Sequence, residues 1–147
     1  MQFTIRGITA DDSQRIVEID AFYSDEAKPE YWEERLNIFK DASDPKSPTR
    51  GFAVVADRKV VGYIIAESRA WEFGSPPCGW IFAVGVDPQY RRYGVALTLC
   101  REVCREFKAS GIRHVRTMVR RDNVDILSFF RASGFRAGPF IELELEL

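Results

Sequence analysis

The feature that most constrains the fold is a run of residues that joins a buried strand to a long helix. Trp80-Ile-Phe-Ala-Val-Gly-Val86 is almost wholly apolar, which is typical of a strand buried on both faces. Asp87-Pro88 then predicts a turn, and Arg91-Arg-Tyr-Gly-Val-Ala96 opens a helix that runs to about Ser110. This order of elements predicts a mixed α/β chain.

The start of that helix carries residue types that suit phosphate. A helix N-terminus has unpaired N–H groups and a partial positive charge, so it binds anions. Gly94 and Ala96 lack bulk, which lets a ligand approach the backbone closely, and Arg91 and Arg92 add cations for a polyphosphate. The stretch is not a Walker A loop, because no Gly-Lys-Ser/Thr follows, and it lacks the three-glycine spacing of a dinucleotide-binding loop.

The charge distribution agrees with an anionic ligand near this helix. The 147-residue chain has a formal net charge of −1, yet residues 88–136 carry 11 Lys or Arg against 4 Asp or Glu. A basic block inside a neutral chain suggests a local anionic partner, although a solvated helix face gives the same count. The whole molecule is not a polycation built to coat nucleic acid.

Hydrophobic periodicity predicts the other elements as a hairpin followed by a β-α-β-α-β order. The stretch Asp41–Arg50 is rich in Pro, Ser and Asp and predicts a surface loop. The remaining expected elements are a strand at Phe3–Arg6, a helix from Asp11 or Asp12 to about Tyr23, a helix at Pro29–Lys40, hairpin strands at Gly51–Ala56 and Val60–Glu67, a strand at His114–Val119, a helix from about Asn123 to Gly134 and a last strand at Phe140–Leu147.

Length and composition predict one soluble globular domain over residues 1–147. Apolar residues are 46% and charged residues 29% of the chain. No apolar run approaches the roughly 20 residues that span a bilayer, and the first twelve residues lack a signal-peptide pattern. Three cysteines cannot form a complete disulfide set, and Cys100 and Cys104 have no second Cys/His pair. We therefore expect a cytoplasmic protein with no metal, no membrane partner and no nucleic-acid partner.

These motifs together resemble the GNAT superfamily of N-acetyltransferases. The family's acetyl-CoA loop is Arg/Gln-x-x-Gly-x-Gly/Ala, and Arg91-Arg-Tyr-Gly-Val-Ala96 is similar to it. The preceding Val86-Asp-Pro88 also matches the family. Downstream, Asn123, Phe129-Phe130 and Gly134-Phe135 resemble the family's Asn…Leu-Tyr…Gly-Phe element. The resemblance covers nearly the whole chain.

The resemblance implies a fold and a co-substrate site. The fold is a mixed, mostly antiparallel sheet, splayed between its fourth and fifth strands, with helices on both faces. Acetyl-CoA, as co-substrate, would lie in the opening, with backbone groups of the fourth strand on its pantetheine arm and loop amides around its pyrophosphate. The implied cofactor-binding residues are Val84, Val86, Arg91, Arg92, Tyr93, Gly94, Val95, Ala96, Leu97, Asn123 and Phe130.

The implied reaction moves an acetyl group from acetyl-CoA to a primary amine by direct attack in a ternary complex. The acceptor is a small molecule, a protein N-terminus or a lysine. Phe130 stands where many members carry the tyrosine that protonates the leaving thiolate, and Met118 and Trp80 stand at the two usual positions of the glutamate base. The catalytic residues are therefore unknown from the sequence, with Glu67 and Glu72 as candidates for the base.

Two other functions remain open at this point. An acyl-CoA-binding regulatory module that has lost catalysis fits the missing tyrosine and glutamate, and it predicts CoA binding without turnover. A nucleic-acid or protein-interaction domain would use the basic block of residues 88–136, and it predicts salt-sensitive polyanion binding that CoA does not displace. A homodimer is also kept open, because edge strands in such folds often pair.

Overall fold

Two units make up the described chain, and the first is built on a sheet. The computed structural model describes residues 1–41 and 47–147, so residues 42–46 of the expected loop lie outside the described residues. The first unit is Met1–Thr117 and the second is Met118–Leu147. The elements are β1 (Thr4–Gly7), α1 (Ser13–Ser24), α2 (Pro29–Asn37), β2 (Thr49–Ala56), β3 (Lys59–Arg69), β4 (Cys78–Val86), α3 (Val95–Ala109), β5 (Val115–Thr117) and α4 (Val124–Ala132).

The strands follow one another across the sheet in the order β1-β2-β3-β4-β5. The first four are antiparallel, and β5 is parallel to β4. Asp57 and Arg58, with φ of 51° and 64°, connect β2 to β3. Two central turn residues with positive φ match the twist of a two-residue hairpin. The predicted hairpin and the mixed, mostly antiparallel sheet are therefore confirmed.

Helices cover both faces of this sheet. Alternate residues of β3 point to opposite faces, so this strand contributes side chains to the packing on each side. On one face, Tyr63 and Ile65 belong to a buried apolar cluster with Ile16 and Ile19 of α1 and with Leu36 of α2. On the other face, α3 packs its apolar side, where Val95, Leu99, Cys100, Val103 and Phe107 are buried. The expectation of helices on both faces is thus confirmed.

Two glycines let α3 lie close to the sheet. A Cβ atom added at Gly62 would come within 2.5 Å of the Val95 side chain, at the start of α3. A Cβ atom added at Gly79 would come within 2.5 Å of the ring of Phe107, near the end of the same helix. Because both ends of α3 pack on glycines, the sheet fixes the distance between the helix and the strands and the position of the helix N-terminus.

The start of α1 differs from the expected cap. Asp12 occupies the cap position, but its carboxylate makes no cap hydrogen bond to α1. It accepts hydrogen bonds from the Thr9 N–H (2.8 Å) and from the guanidinium of Arg6 (2.9 Å). A single 3-10 turn over Ala10–Asp12 precedes the helix, so the carboxylate closes that turn rather than the first turn of α1.

The second unit contains the helix that the sequence predicts, but it lacks the expected last strand. Asn123 caps α4 by accepting from the Ile126 N–H at 3.2 Å. The predicted strand at Phe140–Leu147 was wrong, because residues 136–147 form no helix or strand in the structure. Alternation gives a segment two different faces, but a strand also requires a neighbouring strand to take its backbone hydrogen bonds.

No helix among the residues described is long and apolar enough to cross a membrane.

Candidate active site

The sheet opens between β4 and β5. The two strands pair at only three positions, and the last of them joins Ile81 to Thr117. Beyond Ile81, β4 continues to Val86 with β3 on one side and, among the described residues, no strand on the other. The splay that the resemblance implied between the fourth and fifth strands is therefore present in the structure.

Backbone groups of Val84 and Val86 face this opening. The Asp87 N–H donates to the Val61 carbonyl oxygen at 2.8 Å, so these two residues form a hydrogen-bonded pair of the antiparallel ladder. Such pairs alternate along a strand, and the next is Gly85 opposite Tyr63. The N–H and C=O groups of Val84 and Val86 consequently point away from β3, where an extended amide chain could hydrogen-bond to them.

An ion pair fixes the turn that follows β4. Asp87 is buried, and its carboxylate accepts from the Gln89 N–H (2.9 Å) and from Arg15 of α1 (2.8 Å). Arg15 also donates to the Val60 carbonyl oxygen at 2.9 Å. One guanidinium thus ties α1, β3 and the turn together. Burial raises the pKa of Asp87, but the hydrogen bonds from Gln89 and Arg15 outweigh it and leave that pKa below its ordinary value.

The lowered pKa of Asp87 predicts that the protein loses stability in acid. The pKa of Asp12 is lowered in the same way. Burial raises it, but the hydrogen bonds from Arg6 and Thr9 outweigh burial and leave it below its ordinary value. A lowered pKa adds stability that is complete above the unfolded value of about 4 and is lost as the pH falls through the folded value. We expect the Tm to fall steeply below about pH 4, and Asp87→Asn to have a lower Tm at pH 7 with a shallower acid slope. Calorimetric melts of both proteins from pH 7 to pH 2 measure this, and equal acid slopes would contradict it.

Aromatic side chains hold the next part of the loop against the sheet. Tyr90 is buried, and its hydroxyl donates to Asp57 in the β2–β3 turn at 2.7 Å. The Asp57 carboxylate, by accepting this hydrogen bond, raises the pKa of Tyr90. The ring of Tyr93 lies 5.5 Å from that of Phe3, next to β1. The loop is therefore anchored on both sides before α3 begins.

The backbone at Arg92 and Gly94 has an unusual conformation. Their φ angles are 72° and 74°, in the left-handed region that favours glycine. A non-glycine residue held there costs of order 1–3 kcal/mol, and such residues concentrate at ligand-binding sites. A Cβ atom on Gly94 would meet no atom within 4 Å, so the backbone at this position is open to a ligand. Alternating positive φ values also turn successive N–H groups towards a common point.

In the part of the chain that the structure describes, six consecutive backbone N–H groups at this point have no acceptor. Among the described residues, nothing accepts a hydrogen bond from the N–H groups of residues 92–97, and α3 takes its first backbone bond at Thr98, which donates to the Gly94 carbonyl oxygen. The side chains of Arg91 and Arg92 beside them are exposed. Unpaired N–H groups at the start of a 15-residue helix, with two cations next to them, have the chemistry that suits a phosphate group.

Tyr23 of α1 contacts both this loop and the end of β4, a contact that the sequence analysis did not predict. Its hydroxyl donates to the Val86 carbonyl oxygen and accepts from Arg91 Nε at 3.2 Å. The Arg91 guanidinium lies 5.1 Å from the centre of the Tyr23 ring. Tyr23 therefore holds the end of β4 and the first arginine of the loop in fixed positions. Nothing in the local pattern around Tyr23 signals this contact.

Two of the predicted site residues lie in the second unit. Asn123 is exposed, and its amide oxygen is used in capping α4, which leaves the amide N–H₂ group to donate. Phe130 is buried at 4% exposure, and its ring packs against Phe129 (5.1 Å) and Phe135 (5.0 Å). Phe130 is therefore part of the apolar centre of this unit. Its predicted contact with a thiol stays a prediction.

The two candidate bases share one partner. Arg69 donates to Glu67 at 3.0 Å and to Glu72 at 3.3 Å. Glu67 lies on β3 opposite Trp80, and its side chain is 25% exposed, whereas the Glu72 side chain is 50% exposed in the following loop. Arg69 also stacks on Phe82, with 4.9 Å to the ring centre. Of the two carboxylates, Glu67 has the more defined position.

The described residues contain no cluster of three or more His, Cys, Asp or Glu side chains that could hold a metal ion. Cys100 is buried and Cys104 half-buried on the sheet-facing side of α3. His114 is exposed, and its carbonyl oxygen accepts from the Gly79 N–H at 2.9 Å, so its backbone serves the β4–β5 pairing.

The structure combines a splayed sheet, an open strand and a loop of unpaired N–H groups at the start of a helix, an arrangement that suits a phosphorylated ligand. The model of the acetyltransferase (GNAT) family matches residues 13–135. The chain therefore belongs to the acetyltransferase (GNAT) family, as the sequence resemblance predicted, and this membership places it among the acyltransferases. The comparison with curated proteins gave no match.

Solved structures share this fold over nearly their whole length. A possible acetyltransferase from Clostridium difficile 630 is 17% identical, with a TM-score of 0.77 over 100% of this chain and 99% of that chain. The aminoglycoside N-acetyltransferase AAC(6')-Iy, in complex with the bisubstrate analog CoA-S-monomethyl-acetylneamine, is 18% identical, with a TM-score of 0.82 over 100% and 99%. A ribosomal-protein-alanine N-acetyltransferase from Brucella melitensis biovar Abortus 2308 is 14% identical, with a TM-score of 0.77 over 99% and 100%. At these identities the likeness shows a common fold.

Proposed function

We propose that this chain is an N-acetyltransferase that moves an acetyl group from acetyl-CoA to a primary amine. The observation that carries the proposal is the row of six N–H groups at residues 92–97 that have no acceptor among the described residues, next to a strand whose outward backbone groups face an opening. A pyrophosphate and an amide-bearing arm are the two chemical features that such a pair of surfaces fits. Coenzyme A contains both.

Binding of acetyl-CoA divides between the loop and β4 in this proposal. The N–H groups of residues 92–97 and the side chains of Arg91 and Arg92 hold the pyrophosphate by hydrogen bonds and charge. Backbone groups of Val84 and Val86 pair with the amides of the arm, as an added strand would. The resemblance also assigns Asn123 to the arm, and this assignment stays a prediction. Tyr23 contributes by holding the Val86 carbonyl and Arg91 in place.

The chemistry needs a neutral amine held against a thioester. When bound, acetyl-CoA supplies a thioester whose carbonyl carbon the amine nitrogen attacks, so that a C–N bond forms and the C–S bond breaks. Correct orientation of two reactants contributes roughly 7–11 kcal/mol to lowering the barrier. A thiolate leaves more readily than an alkoxide, because a thiol has a far lower pKa. An acid at the position of Phe130 is therefore not essential to this mechanism.

We assign the removal of the amine proton to Glu67. It lies on a strand, next to the stretch where β4 leaves β5, and Arg69 fixes its carboxylate. Glu72 binds the same guanidinium from a more exposed loop position. The two residues therefore form a matched pair, since each replacement by glutamine removes one carboxylate from Arg69.

Replacing Glu67 and Glu72 one at a time tests directly whether Glu67 is the base. We expect Glu67→Gln to lower kcat by about 10²-fold, because general base catalysis contributes that much or more, and Glu72→Gln to leave kcat nearly unchanged. Steady-state rates on one good amine, measured from pH 6 to pH 10, would show a smaller deficit for Glu67→Gln at high pH, where the free amine is already neutral. Equal rates for the two variants at every pH would contradict the assignment.

Thiol release over a panel of amines tests the proposed function itself. The panel should include an aminoglycoside and a peptide with an N-terminal alanine, because two solved structures of this fold carry those acceptors in their names. We expect acetyl-CoA to release CoA only when an acceptor is present, with a matching mass increase of one acetyl group on that acceptor. Binding of acetyl-CoA with no release on any amine would contradict catalysis and favour an acyl-CoA-binding regulatory module.

A further inference from the structure

Two arginines contact one partly exposed aromatic ring beside the opening of the sheet. Phe82 follows Ile81, the last residue of β4 that pairs with β5, and it is 40% exposed. A register shift in the pairing of β3 with β4 makes Phe82 the extra residue of a bulge. The guanidinium carbons of Arg35 and Arg69 lie 5.1 Å and 4.9 Å from the centre of its ring. Phe82 therefore brings a cation of α2 and a cation of β3 to the point where the sheet opens.

The two arginines differ in their partners. Arg69 donates to Glu67 and to Glu72, so its charge is offset by two carboxylates. Arg35 is half-buried, and no described residue accepts a hydrogen bond from its guanidinium or forms an ion pair with it. A guanidinium has five N–H donors in a planar fork and keeps its charge at every physiological pH. Arg35 consequently has both its charge and its donors available for an anion.

The carboxylate assigned as the base lies on the same face of the sheet as Arg35. Alternate residues of β3 share a face, so Glu67 and Arg69 project on the side where β3 packs against α1 and α2. Arg35 belongs to α2, which covers that side. A carboxylate that can accept a proton and a guanidinium that can bind an anion therefore lie around Phe82 on one face.

The reacting end of acetyl-CoA would also lie near Phe82. In the proposed complex, the arm runs along β4 from the loop of residues 92–97, past the backbone groups of Val86 and Val84. The strand from Val86 to Phe82 spans about 13 Å, because a strand rises about 3.3 Å per residue. The thioester at the far end of the arm then meets the acceptor amine beside Phe82. The side chains around Phe82 are accordingly those that contact the rest of the acceptor.

We propose that the acceptor is an amine that also carries a carboxylate, and that Arg35 binds this carboxylate; the inference rests on the acetyl transfer proposed above. Glu67 takes up the amine proton, while Arg35 pairs with the carboxylate by two parallel N–H···O bonds. The ring of Phe82 holds the Arg35 guanidinium and offers an apolar surface to the carbon chain between the two groups. A polycationic acceptor such as an aminoglycoside lacks the anion and is repelled by Arg35.

Acetylation rates on matched pairs of acceptors test this inference. Each pair is an ω-amino acid with two to five methylene groups and its carboxamide, which keeps the amine and the chain but lacks the anion. We expect kcat/KM for the best carboxylate to exceed that for its carboxamide by at least about 10-fold, because hydrogen bonds between charged groups contribute that much. Arg35→Gln should reduce this preference to less than about 2-fold and leave kcat/KM for the carboxamide unchanged. Arg35→Lys keeps the charge without the planar fork and should give an intermediate preference.

Arg101→Gln is the matched control for these rates. Arg101 is an exposed residue of α3, on the other face of the sheet, so the change removes the same charge from a helix away from Phe82. This control should keep the wild-type preference, and thermal melts show whether each variant is folded. If folded Arg35→Gln also keeps that preference, Arg35 does not bind the carboxylate.

The wild-type rates separate this inference from the function on which it rests. Acetylation of the carboxamides, an aminoglycoside or a peptide with an N-terminal alanine at rates equal to or above those of the carboxylates contradicts the inference, while the proposed function stands. Release of CoA with none of these acceptors overturns the proposed function, and the inference falls with it.

Discussion

Replacing Gly94 by glutamate is expected to lower the affinity for acetyl-CoA by more than about 100-fold without unfolding the protein. Gly94 lies in the middle of the N–H groups of residues 92–97, and a Cβ atom there meets nothing within 4 Å. The new side chain therefore starts without a clash at its Cβ, and it places a carboxylate near the N–H groups that would hold the pyrophosphate. It would compete for the N–H groups and repel the ligand charge. Calorimetric titration of the variant measures the loss.

A second glycine provides a matched control for this experiment. Gly74 has a φ of 69°, close to the 74° of Gly94, and a Cβ atom there also meets nothing within 4 Å. Gly74→Glu therefore carries the same charge change and the same backbone strain at a distance from the loop, and it should bind acetyl-CoA like the wild type. If Gly94→Glu is folded and keeps wild-type affinity, the loop is not the binding site.

A large effect on stability is expected from Gly79→Ala. The new Cβ atom would lie 2.5–2.9 Å from three atoms of the Phe107 ring, which is itself only 1% exposed. Overpacking of this kind typically costs about 1–3 kcal/mol. We expect a Tm lower by about 3–10 °C. A weaker affinity for acetyl-CoA should follow, because displacement of α3 also displaces the N–H groups at its start.

Gly7→Ala is the control for this change, because a Cβ atom at Gly7, also in a strand, meets nothing within 4 Å. The double variant Gly79→Ala with Phe107→Leu should recover part of the loss, since the smaller side chain makes room for the new methyl group. Chemical denaturation of the four proteins gives the free energies of unfolding. Equal stabilities for Gly79→Ala and Gly7→Ala would show that α3 does not rest on Gly79 as described.

Much of the site could be predicted from the sequence because its signals are local. The apolar strand that ends at Val86, the Asp87-Pro88 turn and the glycine that precedes α3 follow one another within a dozen residues. Each is determined by a nearby side chain or a backbone preference, so their order predicts the strand end, the turn and the start of α3 that the structure has. The binding role of these residues stays a prediction. The hairpin of β2 and β3 was predictable for the same reason, since its turn needs only Asp57 and Arg58.

Contacts between distant residues could not be predicted in this way. Tyr23 reaches Val86 across 63 positions of sequence, and Arg15 reaches Asp87 across 72. Neither pair has a pattern that links its members, because both follow from how α1 packs on the sheet. The pairing of Glu67 and Glu72 with one arginine is also a product of the folded loop after β3.

The predicted last strand failed for a different physical reason. The alternation of Leu143, Leu145 and Leu147 with glutamates is a correct description of which side chains can share a face. Whether such a segment becomes a strand depends on a partner edge, and the alternation itself contains no information on where that edge lies. In the present structure the pattern is intact while its apolar face remains in water.

Calorimetric titration of the wild-type chain with acetyl-CoA tests the central claim most directly. The account predicts saturable binding of one acetyl-CoA per chain, with an affinity that falls as salt rises, because the loop holds the pyrophosphate partly by charge. Desulfo-CoA, which keeps the pyrophosphate and both amides of the arm, should bind to the same site. A chain that is folded and shows no heat of binding with either ligand would contradict the assignment of residues 84–97 as the co-substrate site.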